Sequence, residues 1–512
     1  MAQSKRETER KYAAPAADDT SWLPDLTDVD GVASVVDRGT DDLDAVYYDT
    51  VDLRLAGASA TLRRRTGGAD AGWHLKLPLT GDSREEVHAP LSDVVPGELR
   101  DLMVSRTRGA DVGPVVRIRT TRRRRELVDA EGTVLGELSV DAVDAESLLA
   151  GATRASWTEL EVELAEDADP ALLRAVDKRL RKNGVERLPG PSKLARALEE
   201  TGVGAPRLPD VRAEEVVPGS AGDLLLGYVE KQVRTLVDLD PAVRRNLPDS
   251  VHQMRVTCRR LRSVLRSYRS VLDREATDPV RRELRWLAGE LGAERDHEVL
   301  RERLSTQVEA LPRELVLGPV AARLQAWHVT KSSEARTRTQ DALASGRYLA
   351  LLDALAELVA RPPLRPKAAR KPEDVAAKAV LKEYDRFAGR VTAALEPSPG
   401  ADRDTALHQA RKAAKKARYA TEPALAALGK PVKRLGKRVQ AVQKVLGEHQ
   451  DSVVARHELR RLAVAAGTVG EAGFTWGLLY GQEQAAAGEQ QRELPRVWAR
   501  ASEPGLRKAI GG

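Results

Sequence analysis

The sequence predicts an α+β multidomain chain: an N-terminal barrel of antiparallel strands, then an all-α domain made of two related helical halves. Three observations predict it. Over residues 1–200, charged and apolar side chains alternate with a period of two in short segments separated by turns. Beyond about residue 218 the apolar period lengthens to three or four. A cationic helical pattern that begins at His252 begins again at His408, and an internal duplication constrains a fold more tightly than local propensity does.

The strand segments are ETERKY (7–12), AVYYDT (45–50), ATLRRRT (60–66), GWHLKLP (72–78), VVRIRTT (115–121), GELSVDAV (136–143) and WTELEVEL (157–164). Turn sequences such as TGGADAG (66–72) and DAEG (129–132) separate them at hairpin spacing. A helix is predicted over Pro170–Asn183, with Asp169 as N-cap and Gly184 as C-cap.

The alternation is unusual in what it carries. In WTELEVEL, Thr158, Leu160, Val162 and Leu164 share one face and Glu159, Glu161 and Glu163 the other. Glu7, Glu9 and Lys11 share a face, as do Thr61, Arg63 and Arg65, and Lys76 stands between Leu75 and Leu77. One charged strand face is ordinarily a solvated face. Several faces bearing both signs point instead to a closed barrel, apolar outside under helices and charged within. Buried charges are costly unless paired or metal-bound. Carboxylates gathered with Arg and Lys therefore imply a divalent cation together with a polyanion.

Residues 201–218 are rich in Gly and Pro and read as an interdomain linker. The helical domain, 219–512, divides into halves of about 219–360 and 373–512, joined by the basic, Pro-rich 361–372, whose charges read as a solvated loop. Within the first half, Val251–Leu272 reads as one amphipathic helix. Val251, Met254, Cys258, Leu261, Leu265, Tyr268 and Leu272 form its apolar stripe. Beside that stripe run His252, Arg255, Arg259, Arg262, Arg266 and Arg269, with Arg260 adjacent and no acid between His252 and Arg269. Like charges stacked over about 25 Å of helix destabilise it unless an extended anion lies along them. His408, Arg411, Lys415 and Arg418 repeat the spacing, with Lys412 and Lys416 beside them, and Lys433 and Lys437 continue a basic stripe farther on. LGAERD (Leu291–Asp296) is echoed by LGEHQD (Leu446–Asp451).

Bulk composition narrows the function classes. The 512 residues are 42% hydrophobic and 31% charged, yet the net charge is only +6, so the basic character is local. Aromatics make up 4%, which weakens any reading built on base stacking. The single cysteine, Cys258, excludes an intrachain disulfide and fits a reducing compartment. The first residues lack the apolar core of a signal peptide, and the apolar run Leu349–Ala360 is too short to span a bilayer. A soluble, cytoplasmic protein is the expectation.

The motifs carry two resemblances. HxxRxxxRxLR from His252, its echo HxxRKxxKKxRY from His408 and the paired LGxxxD segments resemble the CHAD domain, a duplicated helical domain that binds inorganic polyphosphate. The resemblance covers roughly Pro218 to the C-terminus. It implies a polyphosphate site at His252, Arg255, Arg259, Arg260, Arg262, Arg266, His408, Arg411, Lys412, Lys415, Lys416, Arg418, Lys433 and Lys437. Over residues 1–200, ExExK at Glu7, Glu9 and Lys11 opens an ordered set: RxR at Arg63 and Arg65, Lys76, REE at Arg84–Glu86, a basic strand near Arg117–Arg122, Asp141, ExE at Glu161 and Glu163, and Lys193 in SKLARAL. This set resembles the CYTH domain, or triphosphate tunnel metalloenzyme.

The second resemblance implies eight antiparallel strands closed into a tunnel and chemistry on triphosphates with Mg²⁺ or Mn²⁺. Glu7, Glu9, Asp141, Glu161 and Glu163 are the expected metal ligands, hard oxygens for a hard cation. Either neighbouring pair among Glu159, Glu161 and Glu163 fits the motif, and the later is favoured. Arg63, Arg65, Lys76, Arg84, Arg117, Arg119, Arg122 and Lys193 are the expected phosphate contacts. Which arginines of the crowded basic strand enter the tunnel stays open. Glu7, Glu9 and Lys11 are the catalytic candidates, with Lys11 alternatively a structural partner of the acids. A second cation would activate the attacking water, as in two-metal sites. The expected activity is hydrolysis of inorganic triphosphate, with inorganic polyphosphate held by the helical half. The alternatives are a catalytically silent polyphosphate scaffold and another tunnel chemistry, adenylate cyclase or thiamine triphosphatase. Nucleic-acid binding ranks lower, and no membrane partner is expected.

Overall fold

The computed structural model describes residues 3–15, 21–68, 70–79, 82–149, 151, 153–188, 192–203 and 216–511. It divides into two compact units, Met1–Asp210 and Val211–Gly512. The expected linker, 201–218, lies mostly outside the described residues.

In the first unit eight strands form a closed antiparallel barrel: β1 (Gln3–Ala13), β2 (Ser34–Asp49), β3 (Thr61–Thr66), β4 (Gly72–Pro78), β5 (Ser83–Ala89), β6 (Gly113–Val128), β7 (Val134–Ser147) and β8 (Arg154–Leu164). Their order is β1-β5-β4-β3-β2-β6-β7-β8, and β8 pairs back to β1. Strand β5 is absent from the periodic segments because SREEVHA carries a single large apolar residue, Val87. Strand β2 starts well before residue 45 for a similar reason: DRGTDD (37–42) shows no apolar alternation but is held in register by β6.

Apolar faces turn outward, as expected. Leu160, Val162 and Leu164 of β8 and Leu138 and Val140 of β7 pack beneath helix α3, labelled here after two earlier helices, α1 (Arg54–Gly57) and α2 (Gly97–Thr107). Helix α3 (Pro170–Lys182) starts where Asp169 accepts the Ala171 N–H and ends before Gly184 at φ +80°. Leu99, Leu102 and Met103 of α2 cover β3, β4 and β5. Helix α4 (Lys193–Glu200) is capped by Ser192 and lays Leu194, Ala197 and Leu198 against Ile118, Val143, Ala145 and Trp157, which lie on the lumen side of β6, β7 and β8. That docking brings Lys193, its first residue, to the barrel lumen.

The second unit is helical: α5 (Ala221–Arg244), α6 (Ser250–Ser267), α7 (Arg274–Glu290), α8 (Gly292–Glu309), α9 (Val320–Ala344), α10 (Gly346–Ala360), α11 (Pro372–Leu395), α12 (Ala401–Gly467), α13 (Phe474–Ala501) and α14 (Pro504–Gly511). Met254, Cys258, Leu261 and Leu265 of α6 sit in a core with α5, α7 and α10. Leu407, Ala410, Ala414 and Ala417 of α12 occupy the equivalent place in a second core with α11, α13 and α14. A third core joins the halves, where Leu300 and Leu304 of α8 meet Ala455, Leu459 and Trp476. Helix α12 breaks at Gly429, whose φ of 56° and ψ of −130° leave the helical region. In α10, Asp353 and Glu357 interrupt the apolar run, and no described helix is long and apolar enough to cross a membrane.

One sequence expectation needs correction. The helix expected over Val251–Leu272 ends at Ser267. The chain turns there because Tyr268, Val271 and Leu272 are all buried in the same core, and Leu272 bridges to Leu364. Arg269 is therefore exposed beyond the helix and does not continue its stripe.

Candidate functional site

The barrel encloses a cavity of about 790 Å³ in which most of the lining side chains are charged. Strand pleating alone decides which residues enter it. From β1 come Lys5, Glu7, Glu9 and Lys11; from β3, Arg63 and Arg65; from β4, His74 and Lys76; from β5, Arg84, Glu86 and His88. Strand β6 supplies Ile118, Thr120, Arg122, Arg124 and Glu126, and β8 supplies Glu161 and Glu163.

The most buried part is an acidic group clamped by cations. Carboxylate oxygens of Asp141, Glu159 and Glu161 lie within 4.8 Å of one another. Lys193 Nζ stands 2.7 Å from Asp141, 3.0 Å from Glu159 and 2.5 Å from Glu161. Arg122 donates to Asp141 at 2.7 Å and Glu161 at 2.6 Å. Lys11 bonds Glu161 and lies 3.6 Å from Glu9. Burial alone would raise Asp141; Lys193 and Arg122 outweigh it and hold the carboxyl well below its usual range. Burial draws Lys11 down to about 8 even though Glu9 opposes it. Glu159 accepts a hydrogen bond from Trp157 Nε1 at 2.7 Å through Oε2, while its buried Oε1 completes none and faces the Lys193 ammonium 3.0 Å away.

A second group lies across the lumen. Lys76 Nζ is 2.5 Å from Glu7 and 3.9 Å from Glu86. His74 Nδ1 lies 3.0 Å from Glu86, and Arg63 donates to it at 3.5 Å. Burial pushes Glu7 up to about 7 in spite of Lys76. It would raise Glu9 as well, but Lys11, Lys76 and Lys193 reverse that effect. Burial and the neighbouring Arg63 bring Arg65 down to about 10, against Asp70. Both signs are therefore held at close quarters on buried side chains, where charge–charge terms are larger than at the surface.

Several expected residues sit elsewhere. Arg117, half-buried, and Arg119, exposed, lie on the other side of β6 from Arg122 and pair with Asp44. Strand parity requires this, because positions 117 and 119 cannot share a face with 122 on a regular strand. Arg124 enters the cavity in their place, bonded to Glu137 at 2.7 Å. Of the three alternating glutamates, Glu159 and Glu161 join Asp141, whereas Glu163 stands nearer solvent and bonds Lys5 at 2.9 Å. Glu86 and His74 complete the lumen; the REE segment marked the first, and no sequence signal separated the second from an ordinary core histidine.

In the helical unit the two motif helices bring their cations together. His252, Arg255, Arg259, Arg260, Arg262 and Arg266 of α6 are all half-buried, as are His408, Arg411, Lys415, Lys416 and Arg418 of α12. An ordinary solvated face would leave them exposed. Lys415 faces Arg411 on its own helix, Arg259 and Arg255 on α6, and Asp451 farther along α12; burial first, then the three guanidiniums, pull it down to about 7. The LG segments explain the duplication. A Cβ on Gly292 would stand 3.2 Å from the Arg255 guanidinium, and one on Gly447 would stand 3.8 Å from that of Arg411. Each motif arginine thus lies across the glycine of its own half. The side chains of Arg295 and Asp296 lie outside the described residues. Lys412, Lys433 and Lys437 are exposed, the last two on the segment after Gly429.

Comparison with known proteins follows the same division. A CYTH domain matches residues 5–198 and a CHAD domain matches residues 227–460. An uncharacterised protein of Mycobacterium tuberculosis (strain H37Rv) is 38% identical over 520 residues, covering 98% of this chain and 97% of its own. Among solved structures, PptA from Streptomyces chartreusis is 24% identical with a TM-score of 0.46, covering 55% of this chain and 99% of that one. The CHAD domain from the plant Ricinus communis is 22% identical with a TM-score of 0.45, covering 57% of this chain and 96% of that one.

Proposed function

We propose, from the premise that this chain belongs to the CYTH and CHAD domain families, that its barrel is a metal-dependent inorganic triphosphatase and its helical unit binds inorganic polyphosphate. The observation that carries the first part is a lumen lined by Glu161, Arg63, Arg65, Lys76, Arg84, Arg122 and Lys193, with Asp141 and Glu159 buried directly behind Glu161 and Lys193. A short polyanion neutralises the cations, and a divalent cation neutralises the acids.

The donor set fits such a cation. All three clustered groups are carboxylates, their oxygens are close enough to share one ion, and Glu159 Oε1 lacks a hydrogen bond. Asp141, Glu159 and Glu161, with Glu7 and Glu9 nearby, would hold Mg²⁺ or Mn²⁺, which when bound neutralises developing charge on the phosphoryl oxygens. The remaining work falls to the chain's own side chains. Arg63, Arg65 and Arg122 present planar forks to phosphate oxygens. Lys76 and Arg84 grip the chain from β4 and β5. The barrel lumen holds the triphosphate among these cations with room for the attacking water, and positioning with charge stabilisation is most of what phosphoryl transfer requires. Lys11, bonded to Glu161, positions the acidic wall rather than the substrate.

Phosphate release should be compared across inorganic triphosphate, ATP, thiamine triphosphate and long-chain polyphosphate, each with Mg²⁺ and with Mn²⁺. Inorganic triphosphate is expected to be the best substrate, with no release in excess chelator. Faster turnover of either organic triphosphate would reassign the substrate.

For the helical unit, the half-buried cations around Lys415 support polyphosphate binding, and they make it pH-dependent. Lys415 sits near 7 in the free protein. A bound polyanion favours its ammonium form, so the bound value is higher than the free one. Binding then takes up a proton above pH 7. Affinity is fully developed below that pH and declines as pH rises toward the bound-state value, by up to about tenfold per pH unit. Titration calorimetry across pH 6–9 should show this decline, and Lys415→Arg should flatten it. A flat wild-type profile would contradict the assignment.

A further inference from the structure

The two helical halves align in sequence at one fixed offset. Tyr228 and Tyr384, His252 and His408, Arg255 and Arg411, and Arg259 and Lys415 are separated by the same number of positions. That offset also equates Arg260 with Lys416, and Arg266 with Glu422. The duplication therefore builds one contact between α6 and α12 twice, as residues 260 and 422 and as residues 266 and 416.

The two copies differ in charge. In the first, Arg260 Nε lies 2.9 Å from Glu422. Glu422 also accepts the Tyr228 hydroxyl at 2.6 Å and stands 4.0 Å from Arg418. This copy is a closed, neutralised contact. In the second, both members are cations: Lys416, held down by burial and by Arg266 against the opposing pull of Glu383, is half-buried with Arg386 and Lys412 close by, so the cations around it outnumber the one acid. Like charges held this way destabilise the fold unless an anion joins them.

Helix α11 extends the open side. Lys378, Lys382, Arg386 and Arg390 recur every fourth residue and are all exposed, a single face running roughly 18 Å at 1.5 Å per residue. Arg269 is the largest influence on Lys382, which places this face beside the end of the α6 stripe. The acid there, Glu383, is buried and bonded to Arg386 at 2.6 Å. Asp385, also on α11, is paired with Arg507 at 2.7 Å. At the offset that aligns the halves, the α5 counterparts of the four cations are Gly222, Leu226, Glu230 and Arg234. The four-cation face is present in one half only.

We infer that a long polyphosphate chain leaves the central cluster in one direction, past Arg266 and Lys416 onto the Lys378–Arg390 face of α11, while Glu422 closes the equivalent exit past Arg260. The inference rests on the polyphosphate reading of the helical unit and adds to it a direction and a length-dependent subsite. Short chains occupy the Arg255–Arg259–Arg411–Lys415 cluster alone. Longer chains gain the α11 contacts.

The full chain tests this with three variants: Lys378→Gln/Lys382→Gln on the proposed path, Lys231→Gln/Arg234→Gln as an equal charge change on the exposed face of α5, and Glu422→Gln at the closed exit. Binding of short-chain and long-chain polyphosphate is measured across a salt series. The α11 variant is expected to bind long chains about tenfold more weakly, with a salt slope lower by about 2, and to bind short chains within twofold of wild type. The α5 variant should match wild type for both, and Glu422→Gln should tighten long-chain binding severalfold. Equal losses for short and long chains, equal losses in the α5 variant, or unchanged long-chain binding in the α11 variant would overturn the path while leaving the central site in place. An unchanged Glu422→Gln would overturn the closed exit. Single-stranded DNA bound as tightly as long polyphosphate, and weakened equally by the α11 changes, would overturn the choice of polyanion. A wild-type protein that retains polyphosphate of no length would overturn both this inference and the reading beneath it.

Discussion

Replacing Glu9 with Gln is expected to reduce metal-dependent phosphate release from inorganic triphosphate by at least about a hundredfold, or ~2.7 kcal/mol of transition-state stabilisation. Glu9 stands between the two charged groups of the lumen, 3.6 Å from Lys11. The amide keeps the shape of the side chain but removes the charge that a divalent cation and the surrounding lysines both require. Removing one partner from a buried ionic cluster also costs stability, about 3 kcal/mol. Retained polyphosphate binding and an unchanged far-ultraviolet circular dichroism spectrum separate loss of chemistry from loss of fold. Glu163→Gln is the informative comparison, because Glu163 pairs with the exposed Lys5 near solvent and should cost less than tenfold. If Glu9→Gln keeps more than half of wild-type activity, the proposed acidic wall is wrong.

Reversing charge at both motif arginines, Arg255→Glu with Arg411→Glu, is expected to weaken polyphosphate binding by roughly a hundredfold or more at moderate salt. Both guanidiniums belong to the ring of cations around Lys415, so each new carboxylate repels the polyanion and also pairs with a cation it needs. Both side chains reach across a glycine, Gly292 or Gly447, and carry no buried apolar load. The helical core should therefore persist, which thermal unfolding can check. Triphosphate hydrolysis should remain within twofold of wild type. Parallel loss of both activities would contradict the division of labour between barrel and helices.

What the sequence made legible depended on periodicity. The alternation in WTELEVEL sorted Leu160 and Val162 outward and Glu159 and Glu161 inward, because a pleated strand offers no other choice. Parity was equally available for the basic strand: Arg117 and Arg119 could not share a face with Arg122, and they do not. Depth along a strand was not legible. Alternation names the face of Glu159, Glu161 and Glu163 but not that Asp141 and Lys193 meet the first two, since that follows from the stagger of β7 and β8 and the docking of α4. Strand β5 escaped the pattern because its inward residues, Arg84, Glu86 and His88, alternate with only one large apolar side chain. In the helical unit the repeat fixed the motif arginines, whereas the turn at Tyr268 that removes Arg269 from the stripe is set by tertiary burial.

The most direct test of the central claim is phosphorus NMR of inorganic triphosphate incubated with the full chain and Mg²⁺. Metal-dependent conversion to equal amounts of diphosphate and orthophosphate, absent without the metal, is the predicted result. Unchanged triphosphate, in a preparation that still retains polyphosphate, would contradict it and leave the barrel a binding element beside a polyphosphate-docking helical domain.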